Sequence, residues 1–204
     1  MMREIPDTET KDMNAPIPCE TEHNFTLVLD LPSEVTEEIE CALFEAGCSD
    51  CTISVFAGRL ILTFTRIARS MDGAITSAIR DVRAASIGAT ILRVDDCNLV
   101  TQSEIARKIE RTRQQVHQYI TGERGPGGFP PPACHITDKA PLWHWCEVAH
   151  WLFTQGIIKE NAWKDAVAID AINIILDYCN QKSVNPEMFN RLFDELAVEC
   201  PAGR

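Results

Sequence analysis

Between Gly122 and Pro132 the chain reads GERGPGGFPPP, with glycine or proline at eight of eleven positions. Proline lacks a backbone donor and clashes with the preceding helical turn, and three in succession hold the backbone extended. The run therefore excludes any continuous helix or central strand through the middle of the chain. Whatever precedes it must end by Gly122, and whatever follows must start afresh.

Two helix starts lie close together just before it. Thr101 with Glu104 and Thr112 with Gln115 are both capping-box pairs, a hydroxyl residue followed three positions later by Glu or Gln. Ile105, Ala106 and Ile109 supply the apolar stripe of the first short helix, and Val116, Tyr119 and Ile120 that of the second. Only Glu110 and Arg111 separate them, the length of a tight helix-to-helix turn. If Val116 and Ile120 face inward, Gln114 and Gln118 face outward with Gln115 and His117 beside them. Glutamine pairs with both edge groups of adenine in a major groove, so this face suits base reading. Arg111 and Arg113, at the positively polarised helix start, suit phosphates or the nearest base.

After the glycine-proline run, CHITDKAPLWHW has two extended stretches about a turn near Thr137 to Lys139, the pattern of a small hairpin wing. A closing helix follows with Val148, Trp151 and Leu152 on one face. The segments "SEIARKI", "TRQQVHQYI", "GGFPPP" and "LWHWCEVAHWL" together resemble the winged helix-turn-helix of MerR-type and excisionase-type DNA-binding proteins. The resemblance spans residues 101–153. It implies a second helix in the major groove and a wing along the backbone or minor groove, with contact roles for Arg113, Gln114, His117 and Gln118, then Arg124 and Lys139.

Upstream, Met1 to His23 lacks periodicity and predicts a flexible tail. The order that follows is a strand over Phe25–Leu31 and a helix from Pro32 to Ala46 with Val35, Ile39, Leu43 and Phe44 inward. CTISVF and RLILTF then flank a two-residue Ala57-Gly58 turn. A helix over Met71–Ser86 with Ile75, Ala78, Ile79 and Val82 inward and a strand ATILRV complete it. This β-α-β-β-α-β order predicts a ferredoxin-like domain over residues 24–96 in an α+β protein, a fold that by itself assigns no activity. The runs lack the aromatic pattern of an RNA-binding sheet, so dimerisation or protein contact is the expectation for this acidic domain. Asp95 to Asn98 is a short junction to the winged domain, residues 97–156. Beyond it, residues 157–204 form a helical extension. One long helix runs from about Asn161 to Cys179, and a last helix has Asn185 as cap, Pro186 in its first turn and Met188, Phe189, Leu192, Phe193 and Leu196 as its stripe. These two helices are expected either to form a subunit interface or to pack onto the reader's own core.

Net charge is −11 over 204 residues, which argues against a general nucleic-acid binder. Its distribution is uneven. Met1 to Asp96 carries 8 basic and 17 acidic residues, Cys97 to Trp145 carries 6 and 4, and the remainder 5 and 9, so the only positive section is the proposed reader. Weak nonspecific affinity and a need for two copies per site follow. No apolar run is long enough to span a membrane, and with no charged-then-apolar leader a cytoplasmic protein is expected. Nine scattered cysteines predict reduced, mostly buried thiols. Cys48-Ser-Asp-Cys51 has zinc or redox spacing but no second pair. Cys134, His135, His144, Cys146 and His150 match no familiar zinc pattern. No metal and no cofactor is expected, and no phosphate loop, nucleophile elbow or H-E-x-x-H helix suggests catalysis.

These readings converge on a homodimeric, sequence-specific DNA-binding transcriptional regulator of a bacterium or phage, most simply an autorepressor, and not an enzyme. The site residues are Arg111, Arg113, Gln114, Gln115, His117, Gln118, Arg124 and Lys139. Two alternatives stay open: an excisionase-like architectural factor that bends DNA, and an antitoxin-like regulator whose acidic part holds a protein partner.

Overall fold

The computed structural model describes residues 20–30, 35–137 and 140–196; Pro32, Ser33, Lys139 and the residues before Glu20 or after Leu196 lie outside them. The protein is α+β. Its first part runs β1 (Thr21–Asp30), α1 (Glu37–Glu45), β2 (Cys51–Phe56), β3 (Arg59–Ala68), α2 (Met71–Ala84) and β4 (Thr90–Val94). The strands form one antiparallel sheet in the order β2-β3-β1-β4. β1 starts at Thr21, so the strand takes in Thr21 to His23, which the aperiodic sequence assigns to a tail.

Alternation decides the faces. Phe25, Leu27 and Leu29 of β1 stand opposite Phe64, Leu62 and Leu60 of β3, all buried under α1 and α2. Phe25 and Phe64 stack at 5.2 Å. The reverse face is mixed: the Thr26 and Thr63 hydroxyls lie 3.2 Å apart and Thr65 donates to Asn24 at 2.9 Å, while Val28 stands opposite Ile61 and Ile67 is exposed. The β2–β3 connection is the two-residue turn expected, Ala57 and Gly58 both at positive φ (50° and 76°), which matches the twist of the strands. In α2 the predicted stripe of Ile75, Ala78, Ile79 and Val82 is buried, and the Ser70 hydroxyl caps Gly73 N–H. In α1 only Leu43 is fully buried. Phe44 is 67 % exposed rather than inward, because one residue is a 100° rotation and Leu43 already faces the sheet.

One charge enters this core. Arg66 extends the buried face of β3, 8 % exposed, and donates to both Asp50 oxygens (2.7 and 2.9 Å), Asp81 (2.7 Å), Ser77 (3.0 Å) and Gly47 O (3.1 Å). That partnering is what a buried guanidinium requires. Asp50 is held below its ordinary pKa mainly by the Arg66 hydrogen bonds.

The second part comprises β5 (Leu99–Val100), α3 (Gln102–Lys108), α4 (Arg113–Ile120), β6 (Trp143–His144) and α5 (Trp145–Thr154) around a separate core of Val100, Ile105, Val116, Trp143, Val148 and Leu152. Then come α6 (Glu160–Val184) and α7 (Pro186–Leu196). α6 is longer than the expected Asn161 to Cys179 and touches both cores. Ile169, Ile172 and Leu176 pack into the first core, while α5 packs along its N-terminal half.

β4 is an edge strand, whose outer N–H and C=O groups have no strand to pair with. α6 covers them with amide side chains. Asn173, 1 % exposed, accepts from Val94 N–H at 2.8 Å and donates to Val94 O (3.2 Å), Asp96 O (3.2 Å) and Asn98 Oδ1 (3.1 Å). Asn180 donates to Ile91 O and Leu92 O at 3.2 Å. Lys108 reaches back from α3 to Asp96 at 2.8 Å. The junction after β4 is thus clamped from both sides. Among the described residues no helix is long and apolar enough to cross a membrane.

Candidate nucleic-acid interface

Both capping boxes form. Thr101 Oγ1 accepts from Glu104 N–H while Glu104 accepts from Thr101 N–H, and Thr112 and Gln115 do the same at the start of α4. Each box satisfies two otherwise orphaned donors, so two helices of seven and eight residues are stable where neither would persist alone. The Thr101 backbone and hydroxyl donors hold the Glu104 carboxyl below its usual pKa. Between the helices Glu110 takes φ of 53°, and Arg111 N–H returns to Ala106 O at 2.9 Å, closing α3 and turning the chain sharply. Gln102 Nε2 donates to Arg113 O at 2.8 Å, fixing the angle between α3 and α4.

Buried Val116 and Tyr119 orient α4. Arg111, Arg113, Gln114 and His117 consequently face solvent, and Gln118 is half-buried. Gln115 departs from the expected reading face: its carboxamide oxygen is taken by Thr112 N–H at 3.1 Å, so its first duty is capping. Among the described residues no carboxylate lies within ion-pair distance of Arg107, Arg111, Arg113 or Arg124. Arg107 still acts through space on Glu104, so the cations left without a close carboxylate are Arg111 and Arg113 at the start of α4 and Arg124 beyond its end.

The glycine-proline run is held to β6 and α5 by two indoles, one of which also packs on Tyr119 of α4. Trp151 Nε1 donates to Gly127 O and Trp143 Nε1 to Pro130 O, each at 3.1 Å. Phe129 packs edge-on to Trp151 at 5.1 Å and Tyr119 tilts against the same ring at 5.4 Å. Gly125 takes a φ of 84°, a backbone conformation that only glycine adopts without strain, and it lies in contact with the Trp151 ring. Arg124 N–H donates to Gln118 O at 3.0 Å and its guanidinium lies 6.0 Å from the Tyr119 ring centroid, at the free end of α4. Lys139 lies outside the described residues.

The wing differs from a simple hairpin. Cys134 pairs with Leu142 in a single bridge, and the following Trp143–His144 strand pairs with Leu99–Val100, ahead of α3. A two-residue strand with only Leu and Val to mark it carries too little pattern to be read in advance. Gln102, Arg107 and the two indole donors were also missed. A signal existed for the indoles, because a tryptophan beside a proline run rich in free carbonyls has ready acceptors. Among the described residues no group of three or more His, Cys, Asp or Glu side chains is placed to hold a metal. Cys48 is buried and free, its pKa pushed up to about 12 by burial and then by Cys51 and Asp81. No family model, curated protein or solved structure matches the chain.

Proposed function

We propose that this chain is a sequence-specific DNA-binding transcriptional regulator that acts as a dimer on an inverted-repeat operator, most simply as an autorepressor. In this reading residues 24–96 are a ferredoxin-like domain and residues 97–156 a winged helix-turn-helix, and no catalytic step is assigned to the chain. The observation that carries it is the outward face of α4. Arg113, Gln114 and His117 project to solvent from a helix braced at its start by a capping box and Gln102 and at its end by Arg124, with unpaired cations alongside. Gln114 and His117, with Gln118 at the margin, read base edges; Arg111, Arg113 and Arg124, with Lys139 of the wing, hold phosphates and set register. The acidic remainder of the molecule suppresses nonspecific binding, so two readers one helical turn apart on a two-fold axis supply the affinity.

The test is selection of binding sites from random duplex DNA at physiological salt, followed by footprinting. An inverted repeat should emerge. Gln114→Ala should relax preference at one base position at a cost of about 1 to 3 kcal/mol, while Arg113→Ala should weaken all sequences and flatten the salt dependence. A graded footprint over direct repeats would favour the architectural factor instead. Indifference to every duplex would end the DNA reading.

A further inference from the structure

The second half of α6 and the whole of α7 leave an apolar surface uncovered. α7 buries no residue, although Met188, Leu192 and Phe193 line one side of it, and it leans on α6 through Tyr178, whose ring sits 5.0 Å from Phe189 and 6.1 Å from Phe193. Ile174, Ile175 and Tyr178 are exposed on the outer side of α6 and continue the band towards its middle. There it meets a groove of about 330 Å³ between α2 and α6, with Ile79, Ile172 and Leu176 in its floor and Arg80 and Arg83 on its rim. Among the described residues neither arginine has an ion-pair partner.

We propose that this surface is the interface between two copies of the chain, with α7 of each copy seated in the α2–α6 groove of the other. Charge supports that occupant. α7 carries Glu187, Asp194 and Glu195 against the single Arg191, an acidic helix with an apolar stripe, and the groove is apolar with a basic rim. Area supports it as well. At ~200 Å² per fully exposed large side chain, the exposed apolar residues from Ile174 to Leu196 offer on the order of 900 Å², and a standard interface takes roughly 800 Å² from each partner. Each copy offers one helix and one groove, so a reciprocal exchange closes on a two-fold axis and leaves neither surface free to grow a chain of molecules. The proposal supplies the contact for the two-copy arrangement assumed in the DNA reading. It is measured without DNA, so the two readings fail separately.

Sedimentation of the full chain in DNA-free buffer should show a dimer. Leu192→Asp with Leu196→Asp should give a monomer with an unchanged circular dichroism spectrum, since both are exposed and neither belongs to the ring contacts that hold α7 on α6. Arg80→Glu with Arg83→Glu should raise the dimer Kd at least about tenfold, and adding Glu187→Arg, Asp194→Arg and Glu195→Arg should bring it back. A wild-type monomer at every concentration overturns the proposal. So does a dimer indifferent to the Arg80 and Arg83 changes, which would point to α7 pairing with α7, and so does a charge swap that fails to restore association.

Discussion

Asn173→Ala removes the amide that α6 lays along the free edge of β4. Val94 is 1 % exposed, and its N–H points away from β1, because the neighbouring Asp95 N–H is the one that bonds across to Thr26 O at 2.8 Å. Without Asn173 Oδ1 that donor has no acceptor and no water, a penalty of ~1 to 3 kcal/mol. The carbonyls of Val94 and Asp96 lose a donor as well, adding about 1 kcal/mol. Alanine returns about 0.6 kcal/mol through its better helix propensity. The net loss is about 1.4 to 3.4 kcal/mol, and for a chain of 204 residues each kcal/mol moves Tm by ~2 to 4 °C, so Tm should fall by roughly 3 to 14 °C.

Urea unfolding read by two probes checks both the size and the place of the loss. All four tryptophans, Trp143, Trp145, Trp151 and Trp163, lie in the second core or at the start of α6, so fluorescence reports that part alone while far-ultraviolet dichroism reports the whole chain. In the wild type the two transitions should coincide, because α6 joins the cores. In Asn173→Ala they should separate, the sheet melting first. Asn173→Leu provides the decisive comparison: it restores volume but leaves the same backbone groups unpaired, so it should be no better than alanine. Leucine as stable as asparagine, or alanine within about 0.5 kcal/mol of wild type, would refute the hydrogen-bond argument.

Three further outcomes follow from the geometry. Asp50 is held below its unfolded pKa by Arg66, so its contribution is present above the ordinary carboxylate range and lost as pH falls through the lowered value; Asp50→Asn should flatten that acid limb in urea midpoints measured downward from pH 7. Trp151→Phe deletes the bond to Gly127 O and the outer indole atoms beside Gly125, costing at least about 1 kcal/mol and quickening tryptic cleavage after exposed Arg124, and an unchanged cleavage rate would deny the indole its role in pinning the loop. Burial raises the Cys48 thiol to about 12, and burial with Asp170 raises Cys146 to about 11, so at neutral pH maleimide mapped by mass spectrometry should modify exposed Cys41, Cys97 and Cys179 first; equal labelling of Cys48 would contradict that.

What could be read in the sequence was what local chemistry decides. The two capping boxes, the Ala57-Gly58 turn, the α2 stripe and the Asn185-Pro186 start of α7 each link neighbours no more than four positions apart, and each forms as the spacing dictates, Asn185 Oδ1 accepting from Met188 N–H at 3.0 Å. What escaped depends on partners far along the chain. β5 exists only because β6 arrives some forty residues later, and Phe44 faces outward only because Leu43 wins the sheet. Gln115 illustrates a different limit: the same carboxamide serves equally for capping or for reading adenine, and the sequence offers both uses at one position.

α6 joins these threads. Its apolar residues show no single stripe because its turns answer to different neighbours: α5 near the N-terminus, the first core and the β4 edge through Leu176 and Asn180, and α7 with solvent on the outer side from Ile174 on. Such a helix reads from sequence as apolar on most sides, which correctly demands several partners but cannot order them. The ordering has a mechanical consequence. Asn173 ties α6 to the last residue of β4 and to Asp96 and Asn98, Lys108 of α3 grips the same Asp96, and Trp145 N–H bonds Asn98 O as α5 begins. The sheet, the long helix and the pair of short helices therefore meet at one four-residue junction.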